Sequence, residues 1–185
     1  MNNVLYIEKS NFNDVLNKVV QTILNEKIVI IPTDTIYGFS ALPQCEDKIR
    51  EIKKRDAKPF LYLISKIKQL NYFNINERKY INVLKKNWPN PITFLMNNCF
   101  NKKIGIRLPN NRFLTKMIDK IDIPIISTSV NYSGEPLIEN IEDIVKEFSD
   151  KVELIVINKI FSGNIASTIV DISEENYKII REGAV

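Results

Sequence analysis

The chain has 185 residues, 44% of them hydrophobic, with 26 lysines and arginines against 22 aspartates and glutamates and a formal charge of +4. That length suits the core of one domain; its longest apolar runs are strand-sized, short of the roughly 18 residues that suggest a membrane span, and the modest positive charge argues only weakly for anionic ligands. The sequence contains no histidine, which excludes His-based acid–base catalysis, Ser-His and Cys-His nucleophile pairs and most zinc enzymes. Any chemistry then falls to carboxylates, lysine, arginine, hydroxyls, backbone and a bound metal ion. Cys45 and Cys99 stand far apart and read as reduced thiols, with no disulfide or zinc spacing. The stretch from Met1 to Lys9 has no basic leader followed by a long apolar segment, so the expectation is a cytoplasmic chain with no membrane partner.

Val4 to Ile7 reads as a short strand. From Phe12 to Leu24, apolar residues at helical spacing predict a helix, with Asn11 as its N-cap. Ile28 to Ile31 is a continuous β-branched run stopped by Pro32, a buried strand that delivers the turn Thr33-Asp34-Thr35 at its carboxyl end; such ends commonly face a ligand crevice. Further on, the pattern predicts a helix over 46–55, a strand over 60–64, a helix over 77–86 and a strand over 92–96. Strands at 104–108 and 123–126 bracket a helix over 111–118. Ile138, Ile141, Ile144, Val145 and Phe148 mark another amphipathic helix. Strands at 154–157, 168–172 and 177–181 finish the chain. Mixed elements without repeats or low-complexity linkers predict one α/β domain over 1–185, with a mixed sheet.

Four motifs stand out: Pro32-Thr33-Asp34-Thr35-Ile36-Tyr37-Gly38, Lys53-Lys54-Arg55, the run from Thr128 to Pro136, and Arg181-Glu182-Gly183. Small hydroxyls on turns and fixed cations are the mixture that holds a polyphosphate beside a small polar molecule. Singly, each has an ordinary explanation. Cations ending a helix complement its dipole by roughly 0.3 to 1 kcal/mol, Thr33, Thr35 and Ser133-Gly134 suit plain turns, and Arg107 and Arg181 suit surface ion pairs. Trp88 with Pro89 and Pro91 reads as a packed corner. The ordered combination outweighs these single readings.

That order resembles the YrdC-type threonylcarbamoyl-AMP synthase family from about Ile28 to the last residue. The resemblance rests on the first motif, Lys53-x-Arg55, Trp88-Pro-x-Pro-x-Thr93, Gly105-x-Arg107-x-Pro109, Ser129-x-Asn131, Ser133-Gly134-x-Pro136, Ser167-Thr168-x-Val170 and Arg181-x-Gly183. It implies a YrdC-like open twisted mixed sheet flanked by helices with a basic concave pocket, of the short, single-domain type. It also implies an enzyme that joins L-threonine, bicarbonate or CO2, and ATP into threonylcarbamoyl-AMP and pyrophosphate. A partner transfer complex then modifies tRNA.

By the same resemblance Lys53 and Arg55 meet ATP phosphates, Ser129 and Asn131 the nucleotide, and Arg181 lies near it; Thr35, Arg107 and Ser167 take threonine. Mg2+ bridges the triphosphate and has no dedicated carboxylate cluster, with Asp34 a candidate helper but more naturally a turn aspartate. The sequence departs from the family at Asp56, where proline is common, at Val130 and Asn90, and in the stretch from Arg55 to Pro59, one residue short, where Lys58 is an alternative cation. Two other readings stay open: a non-catalytic module binding structured RNA, with tRNA the candidate partner, and a paralogue acting on a different carbamoyl or acyl adenylate.

Overall fold

Strand after strand in this chain is a short β-branched run closed by a turn or a helix, and in the computed structural model these runs join into one sheet. The structure describes residues 3–55, 59–160, 163 and 165–185; Asp56 and Lys58 of the shortened loop lie outside them. The strands are β1 (Val4–Tyr6), β2 (Val29–Pro32), β3 (Tyr37–Ala41), β4 (Leu61–Leu63), β5 (Ile92–Asn97), β6 (Lys103–Arg107), β7 (Ile125–Ser129), β8 (Leu154–Ile157), β9 (Thr168–Asp171) and β10 (Lys178–Arg181). The helices are α1 (Phe12–Leu24), α2 (Glu46–Lys53), α3 (Glu77–Asn87), α4 (Arg112–Ile121) and α5 (Ile141–Phe148), with 3-10 turns at Pro43–Cys45 and Ile67–Phe73.

The sheet runs β1-β8-β2-β3-β7-β4-β6-β5-β9-β10. It is mixed: β1 with β8, β8 with β2, β4 with β6 and β5 with β9 are parallel, and the other neighbours antiparallel. This is the mixed α/β fold, an open twisted sheet flanked by helices, that the sequence implied.

Because side chains alternate across a strand, the central strands have two different faces. Phe39, Ile126, Ile106, Phe94 and Met96 are buried. A larger apolar cluster joins residues of α1, α2, α4 and α5 to β2, β3, β7 and β8. A second one gathers Leu70, Tyr80, Leu84 and Trp88 against Phe94, Met96 and Ile106. Trp88 forms the packed corner expected of it: buried, it donates its indole N–H to the Ile92 carbonyl at 2.8 Å.

Several local expectations are corrected. Asn11 does not cap α1 through its side chain. Its amide instead closes the preceding loop, accepting from the Glu8 N–H and donating to the Tyr6 carbonyl. Helix α5 starts at Ile141 with Asn140 capping the Glu142 N–H at 3.0 Å, so Ile138 lies outside it. Strand β3 was not anticipated, and β7 runs past the apolar stretch through Ser127, Thr128 and Ser129. Both have small or polar residues on one face, which breaks the apolar signature of a buried strand.

Phe39 is fully buried and meets Phe148 edge to face at 5.1 Å. Phe39→Ala should therefore cost about 3–5 kcal/mol of unfolding free energy in urea titration, because the hole lies between β3 and α5.

Candidate functional site

The other face of the central strands is a concave floor. Ser127 of β7, Leu61 of β4, Gly105 of β6 and Leu95 of β5 stand side by side in register, with Gly38 paired to Ser129 beside them. The glycines and serines among them leave a cavity of about 560 Å³, with Leu61 and Leu95 also in its lining. A Cβ at Gly38 would come within 2.8 Å of Ser127 Oγ, so a larger residue there would displace the Ser127 hydroxyl. Among the described residues the lining carries Arg55, Lys103, Arg107 and Arg181 and no carboxylate.

The cations divide into two kinds. Lys103 is paired to Asp171 at 2.6 Å and Arg107 Nη2 to Asp34 at 3.2 Å. The second pair is buried at both ends, and Asp34 Oδ2 also accepts the Asn110 N–H at 3.0 Å. Asp34 is therefore the counter-ion of Arg107, neither a turn residue alone nor a free metal ligand. Arg107 Nη1 donates to Thr35 Oγ1 at 3.0 Å, while its Nε is buried without a hydrogen-bond partner. Burial pushes the Arg107 guanidinium below its usual range; Asp34 pushes it up and Arg181 pushes it down.

Arg55 and Arg181 form the other kind, with no ion pair among the described residues. Arg55 lies 4.7 Å from the Phe60 ring centroid and donates to Thr128 Oγ1 at 3.2 Å and to the Pro59 carbonyl at 2.9 Å. Burial, then Arg50, lowers its pKa, with Glu46 opposing. Arg181 donates through Nε and Nη2 to the Ser167 carbonyl at 3.1 and 2.7 Å. Burial alone lowers the Arg181 pKa, and a nearby negative charge would offset the desolvation that both guanidinium groups bear.

A hydroxyl chain completes the wall. Thr33 Oγ1 donates to the Ile36 carbonyl at 2.7 Å and lies 3.0 Å from Thr35 Oγ1, and Thr93 Oγ1 lies 2.9 Å from Ser167 Oγ. Ser167 is held from behind by the C-terminal segment. Ala184 donates to the Ala166 carbonyl at 3.0 Å, Thr168 Oγ1 bonds the Val185 carbonyl, and Gly183 packs so closely that a Cβ would fall 2.3 Å from the Ala166 oxygen.

Seven of the eight expected site residues line this one cavity: Thr35, Arg55, Arg107, Ser129, Asn131, Ser167 and Arg181. Lys53 does not, and its expected placement on phosphates is revised. Helix α2 ends at Lys53 because Lys54 turns left-handed (φ 49°), and Arg55 N–H closes the turn on the Arg50 carbonyl at 2.9 Å. That reversal sends Arg55 to the cavity and Lys53 to the core, 1% exposed. Its Nζ lies 5.5 Å from the Phe39 ring centroid. Burial and then Arg55 push its pKa down to about 7. Thr33, Thr93 and Thr128, which stood in the quoted motifs without an assigned role, and Ser127, outside them, also line the cavity.

Among the described residues no three His, Cys, Asp or Glu side chains gather to hold a metal, and no helix is long and apolar enough to cross a membrane. What the fold and site define is an α/β protein with a cation-lined cavity on one face of an open mixed sheet. A family model, Sua5/YciO/YrdC, described as telomere recombination, matches residues 21–183, and the chain belongs to that family. The threonylcarbamoyl-AMP synthase of Wigglesworthia glossinidia brevipalpis is 31% identical over 184 residues, covering 91% of this chain and 93% of the relative. Pyrococcus abyssi Sua5 complexed with L-threonine superposes with a TM-score of 0.86 at 23% identity, over 97% of this chain and 57% of its own. Escherichia coli YciO gives 0.84 at 20% identity, over 99% and 96%. The chain thus spans little more than half of the Pyrococcus protein.

Two outcomes follow. Gly183→Ala should displace the backbone at Ser167 and lower the melting free energy by about 1–3 kcal/mol, read by thermal denaturation. For Lys53 the unfolded chain keeps a proton that the folded chain gives up at about 7, so folding gains stability as pH rises from there into the ordinary lysine range. Wild-type stability in urea, measured relative to Lys53→Met, should rise from pH 7 to pH 9.

Proposed function

We propose that the chain is a threonylcarbamoyl-AMP synthase, a nucleotidyltransferase that joins L-threonine, bicarbonate or CO2, and ATP into threonylcarbamoyl-AMP and pyrophosphate. The observation that carries this reading is the pair Arg55 and Arg181, both lining one cavity free of carboxylates and neither in an ion pair among the described residues. The synthases named among the relatives support it.

In this reading the threonine amine adds to CO2 and loses a proton to give a carbamate. A carbamate oxygen then attacks the α-phosphorus, and the bond to pyrophosphate breaks with its electron pair leaving on the pyrophosphate oxygen. No covalent enzyme intermediate is needed. The protein supplies alignment and charge stabilisation. Arg55 and Arg181 hold phosphate oxygens, with a planar fork suited to them. Ser129 and Asn131 face the nucleotide. Thr35, Arg107 and Ser167 receive the amino acid; Arg107 is already half-neutralised by Asp34, so a substrate carboxylate meets its remaining N–H groups rather than a free fork. Mg2+ arrives with ATP as part of the substrate, since phosphate oxygens and water satisfy most of its ligand shell. The product is consumed by an enzyme that moves the threonylcarbamoyl group to tRNA.

The test is pyrophosphate release from MgATP and bicarbonate, with and without L-threonine, with the nucleotide product identified by mass. Threonine-dependent release is expected, and Arg55→Ala should lower it about 100-fold or more, as for loss of one transition-state donor. Release that ignores threonine, or that another acyl donor supports better, would point to a different adenylate. Serine, which lacks one methyl, should be used about 10- to 200-fold less efficiently.

A further inference from the structure

Among the described residues Lys53 is the largest polar side chain that is completely buried, and it makes no ion pair with a carboxylate. Its Nζ donates to the Ser129 carbonyl at 2.5 Å, the Asn131 carbonyl at 2.6 Å and Asn131 Oδ1 at 3.0 Å. An ammonium has three N–H donors, and all three are spent on one short loop. The backbone carbonyl of the same residue accepts the Ser133 N–H at 2.9 Å, so both ends of Lys53 hold that loop. The bonds continue outward: Ser129 Oγ donates to Asn131 Oδ1 at 2.6 Å, and Asn131 Nδ2 donates to the Glu135 carbonyl at 2.6 Å. Ser129 and Asn131 line the cavity, whereas Lys53 does not.

We infer that Lys53 is a positioning residue: it acts from behind the wall, fixing residues 129–135 so that Ser129 and Asn131 present one constant polar surface to the ligand, and it does not itself contact phosphate. The inference rests on the nucleotide reading of the cavity. A residue with all its donors committed inward has none to give to a triphosphate. Removing it takes the Nζ donor from the Ser129 and Asn131 carbonyls and leaves Asn131 Oδ1 only the Ser129 hydroxyl, a penalty borne by the loop. The outward cation of the pair is Arg55, placed on the cavity side by the left-handed turn at Lys54.

The two roles differ in what they do to nucleoside and nucleotide. A phosphate ligand contributes to ATP and not to adenosine; a wall-setting residue contributes to both alike. The experiment compares wild type, Lys53→Met and Lys53→Arg by calorimetric titration with adenosine and with MgATP, and by hydrogen–deuterium exchange over 127–136 without ligand. Lys53→Met should exchange about tenfold faster at 129–135 alone, as expected for loss of charge-assisted bonds. It should weaken adenosine and MgATP by the same factor, and Lys53→Arg, which retains charge and donors, should recover part of both.

Unchanged exchange in that loop overturns the inference. So does a loss confined to MgATP with adenosine unaffected, which makes Nζ a phosphate ligand. A wild type that binds neither compound defeats the nucleotide reading, and the ligand-free exchange still decides whether Lys53 ties the loop. If Lys53→Met does not fold, Lys53→Gln, too short to reach the three acceptors, carries the same comparison.

Discussion

Everything in this molecule depends on a sheet whose central strands are packed with large apolar residues on one side and are open, with several small residues, on the other. Alternation along a strand makes this possible, because a residue and its neighbour face opposite directions. Gly38 beside Phe39, Gly105 beside Ile106 and Ser127 beside Ile126 each combine a buried residue with a small one on the cavity side. The apolar side drives folding through burial, and the small side leaves room that a helix would otherwise fill. Stability and a ligand cavity are thus written into the same residues without competing for the same face.

Charge is arranged in the cavity with comparable economy. Lys103 and Arg107 carry their own counter-ions, so they add shape and hydrogen-bond donors with little net field. Arg55 and Arg181 are anchored by neutral carbonyl and hydroxyl oxygens, which hold a guanidinium in place without cancelling it. An anion entering this space meets positive charge whose orientation is already fixed, and little reorganisation is required of the protein. The unpartnered Nε atoms of Arg55 and Arg107 are a standing desolvation cost that a ligand or water can offset.

The fold was legible where one face of an element is apolar throughout. Helices α1, α3 and α4, and strands β2, β5, β6 and β8, follow the periodicity closely. Strand β3 was missed and β7 read too short because Gly38, Ser127 and Ser129 answer to the cavity and Ser40 is a buried hydroxyl beside Ser127, so the hydrophobic pattern fails where the site begins. The expected site residues converge on one cavity with the exception of Lys53, whose direction is set by the handedness of the next residue, a property that side-chain type does not announce. The Asp34–Arg107 pair was also invisible, since it joins the turn after β2 to the end of β6, far apart in sequence, and a short polar residue between two threonines reads naturally as a turn.

The left-handed residue Lys54 has a wider meaning. A non-glycine residue seldom adopts this conformation, yet here it divides two neighbouring cations between the interior and the ligand face. Core and cavity are consequently wired through one pair of backbone dihedral angles, so drift in that segment is felt on both sides of the wall at once. Substitutions there cannot be sorted into those that affect folding and those that affect the ligand.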